Sequence, residues 1–391
     1  MSLRLLGGNW NGCFVSVPSM RVASLILGIV LTVWTVLAVI QAMLIPSGPG
    51  PLITRVVSRC VRVIAHAPLT TRRTYPRQNK SLAGVAPISL LIQLVVYITI
   101  LIFTTGLIVY GTTDLSLLNS FYQSGSTLTT LGIVEPVNVA STITTFIAAF
   151  LGLVIIAIFV GYLMAIYGAL VSRESQMARL SILAGEPAWG PQILARGHVL
   201  GLPANQAPRY TDWINWTCDV RLNQRVNPIL SDFRSTAELR HWVITMLAVM
   251  DATALRIAFE PDNVDPNAVQ LLVECGVTLS VLDGTTQHAH NWAKQDEIHR
   301  AIKSGGQSPT DAGLSSDEWH AGISALQLVD YPLPPDLDAA RSRFLNLRHI
   351  YVEQTYAFAK QLHAVPAPWS GTRNPAVDTI WPEIARGQEK L

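Results

Sequence analysis

Charge is what this 391-residue chain lacks most conspicuously: from Ser81 to Ser172, Asp114 and Glu135 are the only Asp, Glu, Lys or Arg. A stretch so depleted cannot be solvated on all sides, which excludes an ordinary water-soluble fold for it. Cysteine is scarce as well. Cys13, Cys60, Cys218 and Cys275 show no C-x-x-C spacing, which excludes a disulfide framework or a cysteine zinc site and leaves unpaired thiols. No G-x-G-x-x-G follows a strand. Gly197-His198-Val199-Leu200-Gly201 does not supply one, and without βαβ alternation a nucleotide-binding domain of Rossmann type is excluded. No Ser/His/Asp set and no paired carboxylates stand out, so an enzyme reading has nothing to rest on. A net charge of +2 gives nucleic acid no electrostatic hold. Internal repeats and low-complexity tracts are absent.

What is present is apolar length. A bilayer core of about 30 Å needs roughly 20 apolar residues in a helix. Val22–Ile45, Pro87–Tyr110 and Thr142–Val171 meet that requirement. The first follows Arg21 and could be a secretory signal. Its apolar run is longer than a signal core and no small-x-small site follows, so an uncleaved span is expected. Residues 1–20 carry little pattern. The third span contains Gly152, Gly161 and Gly168, and glycine lets membrane helices pack closely.

Orientation is read from Lys and Arg in the short loops. The Pro46–Ala86 connector holds Arg55, Arg59, Arg62, Arg72, Arg73, Arg77 and Lys80 and no acidic residue. The loop between the second and third spans has no basic residue. The connector is therefore expected on the cytoplasmic side, the Asp114/Glu135 loop and the N-terminus outside, and the long C-terminal region inside. Arg55, Arg59 and Arg62 recur at helical spacing among valines. That pattern suits an amphipathic helix on anionic membrane lipids, and it equally suits a plain positive-inside anchor.

Between the second and third spans, Leu115–Thr129 is too short and too polar to cross a bilayer. It has helical character through Leu117, Leu118, Phe121 and Tyr122, with Asp114 placed to cap it. Non-helical backbone at membrane depth is tolerated only against protein or a water-filled cavity. A half-helix entering from outside would aim its partly negative C-terminus at the membrane centre. The chain would then return as a loop whose carbonyls can replace an ion's water shell. The competing reading is an external loop joining two hairpin helices.

The loop residues Thr129-Thr130-Leu131-Gly132-Ile133-Val134-Glu135 resemble the selectivity filter of the two-transmembrane bacterial potassium channels, whose core is T-V-G-Y-G followed by an acidic residue. Thr130, Leu131 and Gly132 match its first three positions, and Glu135 stands where the acidic residue stands. Ile133 replaces the tyrosine and Val134 the second glycine. The resemblance covers about Pro87 to Val171. It implies an oligomeric pore of four copies that conducts K⁺ or another monovalent cation, with carbonyls of Thr129 to Val134 as the filter. Glu135 and Asp114 would set the charge at the mouth, and Gly152 or Gly161 would serve as a hinge. It implies no cofactor beyond the permeant ion. Left-handed backbone is readily open to glycine and costly for a β-branched residue, so Val134 is expected to strain or shorten the outer filter and to loosen K⁺ selectivity.

Beyond Arg173 the sequence has mixed charges and helical patterning. Ser235-x-x-Glu238 reads as a capping box opening a helix to about Phe259, with an apolar stripe of Leu239, Trp242, Val243, Met246, Val249 and Met250. Trp213, Trp216 and Val220 share one face of an earlier helix. A later helix is expected from Asp336 to about Leu362. His288, His290, Glu297 and His299 could supply metal ligands, but H-x-H is not same-face helical spacing and a solvated helix is the expectation there.

The expected protein is an all-α membrane protein with three transmembrane helices, a re-entrant pore helix and loop, and a mostly helical cytoplasmic domain. Its segments are 1–21 outside, 22–46 spanning, 47–86 cytoplasmic, 87–110 spanning, 111–141 pore helix and loop, 142–171 spanning and 172–391 cytoplasmic. A different class also fits: a non-conducting membrane sensor or scaffold whose channel-like hairpin organises an oligomer.

Overall fold

The computed structural model describes residues 17–45, 51–66, 75–203, 209–282, 296, 298–302 and 312–371, and among these every extended element is a helix. In chain order the helices are α1 (Val17–Met43), α2 (Leu52–His66), α3 (Tyr75–Ala83), α4 (Val85–Thr112), α5 (Leu117–Leu128), α6 (Val139–Ala184), α7 (Gly190–Val199) and α8 (Tyr210–Val226). A 3₁₀ turn at Pro228–Asp232 follows, then α9 (Trp242–Phe259), α10 (Pro266–Leu282), α11 (Ser316–Gln327), α12 (Leu337–His349) and α13 (Val352–Gln361). Four of them, α1, α4, α6 and α9, are long and apolar enough to cross a membrane. The chain divides into two units, Met1–Cys60 with Ile88–Ala165 and Val61–Pro87 with Ile166–Leu391.

In the first unit α1 and α4 run antiparallel. The backbones approach so closely that a β-carbon on Gly28 would meet the Ile108 amide and the Thr104 carbonyl, and one on Gly111 would meet the Arg21 carbonyl and Leu25. Close backbone contact through small residues is how apolar helices join where lipid surrounds them. Arg21, at the start of α1, donates to the Thr113 carbonyl at 2.7 Å and pairs with Asp114. Within α4, Gln93 donates to the Thr54 hydroxyl of α2 at 2.8 Å, and that hydroxyl lies 3.2 Å from the buried Tyr97 hydroxyl.

In the second unit α9 is the centre. Nearly all its residues are buried, on every face, by α7, α10, α12 and α13. The expected apolar stripe is therefore an all-round apolar surface, which explains why a core helix has the composition of a span. Trp213, Trp216 and Val220 of α8 are buried as expected. Across this core Arg348 meets Asp251 at 3.2 Å, and the Tyr351 hydroxyl donates to Asp251 at 2.8 Å. Both charges are fully buried.

Two expectations about helix ends are corrected. Ser235 and Glu238 do not open α9. Ser235 donates instead to Glu174 at 3.0 Å, Glu238 pairs with Lys80 at 3.2 Å, and α9 starts at Trp242, with the His241 ring accepting from the Val243 amide. The reciprocal capping box is at Ser315 and Glu318, opening α11. The helix expected from Asp336 to Leu362 is two helices, broken at Ile350 and Tyr351, with Asp336 capping the first through the Ala339 amide at 2.9 Å.

Candidate functional site

The segment from α5 to the start of α6 is built on polar side chains held inside the first unit. Ser120, Gln123, Ser124, Ser126, Thr127 and Leu128 are all buried. On one side, α5 lies against α4: Phe121 and Phe103 meet edge to face at 5.1 Å, and Phe121 fills the space over Gly106. On the other side Gln123 donates to Thr145 of α6 at 3.2 Å, and Leu128 presses on Gly152. A 12-residue helix with a polar face is thus wedged between two long apolar helices.

Its first turn is capped by Ser116, whose hydroxyl accepts from the Asn119 amide at 3.3 Å. The expectation that Asp114 caps it is corrected: Asp114 is turned to Arg21. The far end of the loop is equally fixed. The Asn138 side chain accepts from the Ser141 amide at 2.8 Å, starting α6, and donates to the Thr112 carbonyl at 2.8 Å. This closure brings the ends of α4 and α6 together around the loop, and α6 begins at Val139 rather than Thr142.

Between these anchors the backbone folds back on the last turn of α5. The Thr130 amide donates to the Thr127 carbonyl at 3.0 Å, and the Leu131 and Gly132 amides to the Ser126 carbonyl at 2.8 and 3.1 Å. The Ile133 amide donates to the Ser126 hydroxyl at 2.9 Å. Four successive donors are consumed on one side. Among the described residues the carbonyls of Thr130, Leu131, Gly132, Ile133 and Val134 accept no hydrogen bond. Buried or not, a carbonyl needs a partner, supplied by water, protein or a cation.

Two residues take left-handed backbone to achieve this, Thr130 at φ 60° and Gly132 at φ 64°. For the threonine this costs about 1–2 kcal/mol, offset in part by its hydroxyl bond to the Thr129 carbonyl at 2.7 Å. Val134 does not adopt left-handed backbone. The expected strain at Val134 is therefore not present, and it falls on Thr130 instead.

The loop's side chains are open. Leu131 is 64% exposed and Ile133 56%, with Thr129 and Glu135 also at the surface. Asp114 is paired with Arg21, and among the described residues Glu135 forms no ion pair. Of the hinge candidates, Gly152 is occupied by its contact with the Leu128 carbonyl, whereas a β-carbon at Gly161 would meet nothing within 4 Å; α6 continues unbroken through both. His288, His290 and Glu297 lie outside the described residues, and among the described residues no group of three His, Cys, Asp or Glu gathers to hold a metal.

Sequence reasoning identified the loop and its acidic residue but missed three supports: Ser126, Asn138 and Arg21. Ser126 carried a readable signal, a small hydroxyl residue in a polar helical turn before the loop. Compared with family models, curated proteins and solved structures, the chain matches none of them.

Proposed function

We propose that this chain is one subunit of a cation channel of the cell membrane, conducting K⁺ or another monovalent cation through a pore assembled from four copies. In this reading α4 and α6 flank the conduction path, α5 is the re-entrant helix and Thr129–Val134 lines the filter. The loop faces outside, and the helical unit after α6 is cytoplasmic. The observation that carries the reading is the one-sided backbone of the loop: the amides of Thr130 to Ile133 are spent on α5 while their carbonyls accept nothing. A row of carbonyl oxygens with a nearby acidic residue is what a permeating cation requires. One chain contributes one such row, so several copies are needed to surround an ion. The exposed Leu131 and Ile133 are then the side chains that meet neighbouring copies.

Strict K⁺ selectivity is not part of the proposal, because Ile133 has no hydroxyl to brace the filter from behind. The test is flux of K⁺ and Na⁺ through the purified chain in liposomes under opposed gradients, with the oligomeric state measured on the same preparation. Cation flux with preference over anions is expected. An intact oligomer carrying no flux sinks the channel reading and leaves the scaffold. Val134 lies outside the left-handed backbone that glycine opens, so replacing it with glycine is expected to sharpen K⁺ over Na⁺; an unchanged ratio shows that the backbone at position 134 does not set selectivity.

A further inference from the structure

The second unit contains a cavity of about 240 Å³ walled by residues far apart in sequence. That is about eight times the share of volume of one liquid water, enough for a phosphate and the atoms that link it. Its polar wall includes Arg62 from the end of α2, Asp232 from the 3₁₀ turn, Arg234 just beyond it, and His363 past the end of α13, beside the uncharged Ser231 and Gln361. Leu82 and Val85 form an apolar wall.

The charges do not cancel. Asp232 is taken by Arg62 at 2.8 Å. Arg234 has no carboxylate within 4.0 Å among the described residues; it donates to the His363 carbonyl at 2.9 Å. Burial lowers the Arg234 pKa, with Tyr75 and Asp232 pulling the other way. Arg234 is half-buried and has no carboxylate partner to offset what desolvation it suffers, and its planar fork suits two oxygens of an oxyanion. The second guanidinium, Arg62, is 52% exposed on its side chain and so can turn from Asp232 to a ligand without being unpacked.

We propose that this cavity is a binding site for a phosphate group, gripped by Arg234 and Arg62 with Asp232 as the internal competitor that the phosphate displaces. Either a phospholipid headgroup or a free phosphate can present that group. The apolar wall at Leu82 and Val85, with Val63 and Ile64 exposed next to Arg62 in the chain, fits a headgroup with part of its tail. The same wall accommodates the carbon skeleton of a soluble phosphate ester.

The test uses the full chain. In detergent, inorganic phosphate is titrated while the melting temperature is followed; in nanodiscs, phosphatidic acid is compared with phosphatidylcholine. A saturable rise with phosphate identifies the soluble source, and a rise confined to phosphatidic acid the lipid source. No rise in either overturns the proposal. Arg62→Gln and Arg234→Gln are each expected to weaken binding about tenfold, the scale of one charged hydrogen bond. Arg225→Gln, a loss of the same charge at an exposed position, is expected to leave it unchanged. Asp232→Asn guards against a variant that merely misfolds. Removing the competitor is expected to tighten phosphate binding several-fold, whereas a purely structural Arg62–Asp232 pair predicts loss or no change. Binding that survives Arg234→Gln, or that weakens in Asp232→Asn, overturns the proposal.

Discussion

Gly106→Ala tests whether α5 is seated as described. The β-carbon it adds would sit 2.8 Å from Phe121 Cε1 and 3.3 Å from Phe121 Cα, with Cδ1 closer still. Non-bonded carbons rest at about 3.5–4.0 Å, so the ring must swing away, and the approach to Cα means that the α5 backbone must shift with it. Overpacking of this kind costs about 1–3 kcal/mol. A lower melting temperature is expected, together with impaired flux, because the loop amides are anchored to the last turn of the displaced helix. Gly161→Ala is the control for melting. It meets no atom within 4 Å and removes a helical glycine, which is worth up to about 1 kcal/mol in the stabilising direction. Phe121→Leu in the Gly106→Ala background separates seating from helix propensity: the two changes should be non-additive by about 0.5–3 kcal/mol. A Gly106→Ala protein that melts and conducts like the wild type refutes the contact between α4 and α5 and the support it lends to the loop.

Gly132→Ala meets no neighbour but must hold φ 64°, a cost of about 1–2 kcal/mol; liposome flux should fall with little loss of melting temperature, and full flux would show that the left-handed turn is dispensable. Glu135→Gln should lower cation flux several-fold at 10 mM salt and much less at 1 M, where screening lengths fall from about 30 to about 3 Å. Asp114→Asn should leave conduction nearly unchanged, since Arg21 already neutralises it; equal effects of the two substitutions would contradict the assigned mouth charge. Arg348→Met should destabilise the second unit by about 3–5 kcal/mol by stranding buried Asp251, read as loss of the cooperative melting transition at working temperature.

The long apolar helices were legible because composition marks them, although the buried α9 shows that the same composition also serves a protein core. Their ends were not. Hydropathy suggests that the third span stops at Val171, whereas α6 runs to Ala184 through Arg173 and Glu174, because hydropathy marks where lipid would end and not where hydrogen bonding does. Capping motifs failed for a different reason. Ser235-x-x-Glu238 and Ser315-x-x-Glu318 are the same signal, yet only the second caps a helix. In the first, Glu174 and Lys80 compete for both members, and a local bond worth about 1 kcal/mol loses to better long-range partners.

The same competition explains what was hidden at the loop. Asp114 is close to α5 in sequence and was expected to serve it, but Arg21, 93 positions away, is the stronger partner. Strain was expected at Val134 by analogy with a glycine pattern, and it appears at Thr130 because the turn is dictated by where Ser126 offers its carbonyl and hydroxyl. Acceptors, not residue types, set the loop's path. That is why the position of the loop and of its exposed acidic residue could be read from the chain. Which carbonyls remain open, and which arginines converge on the cavity of the second unit, depend on pairings that no local pattern records.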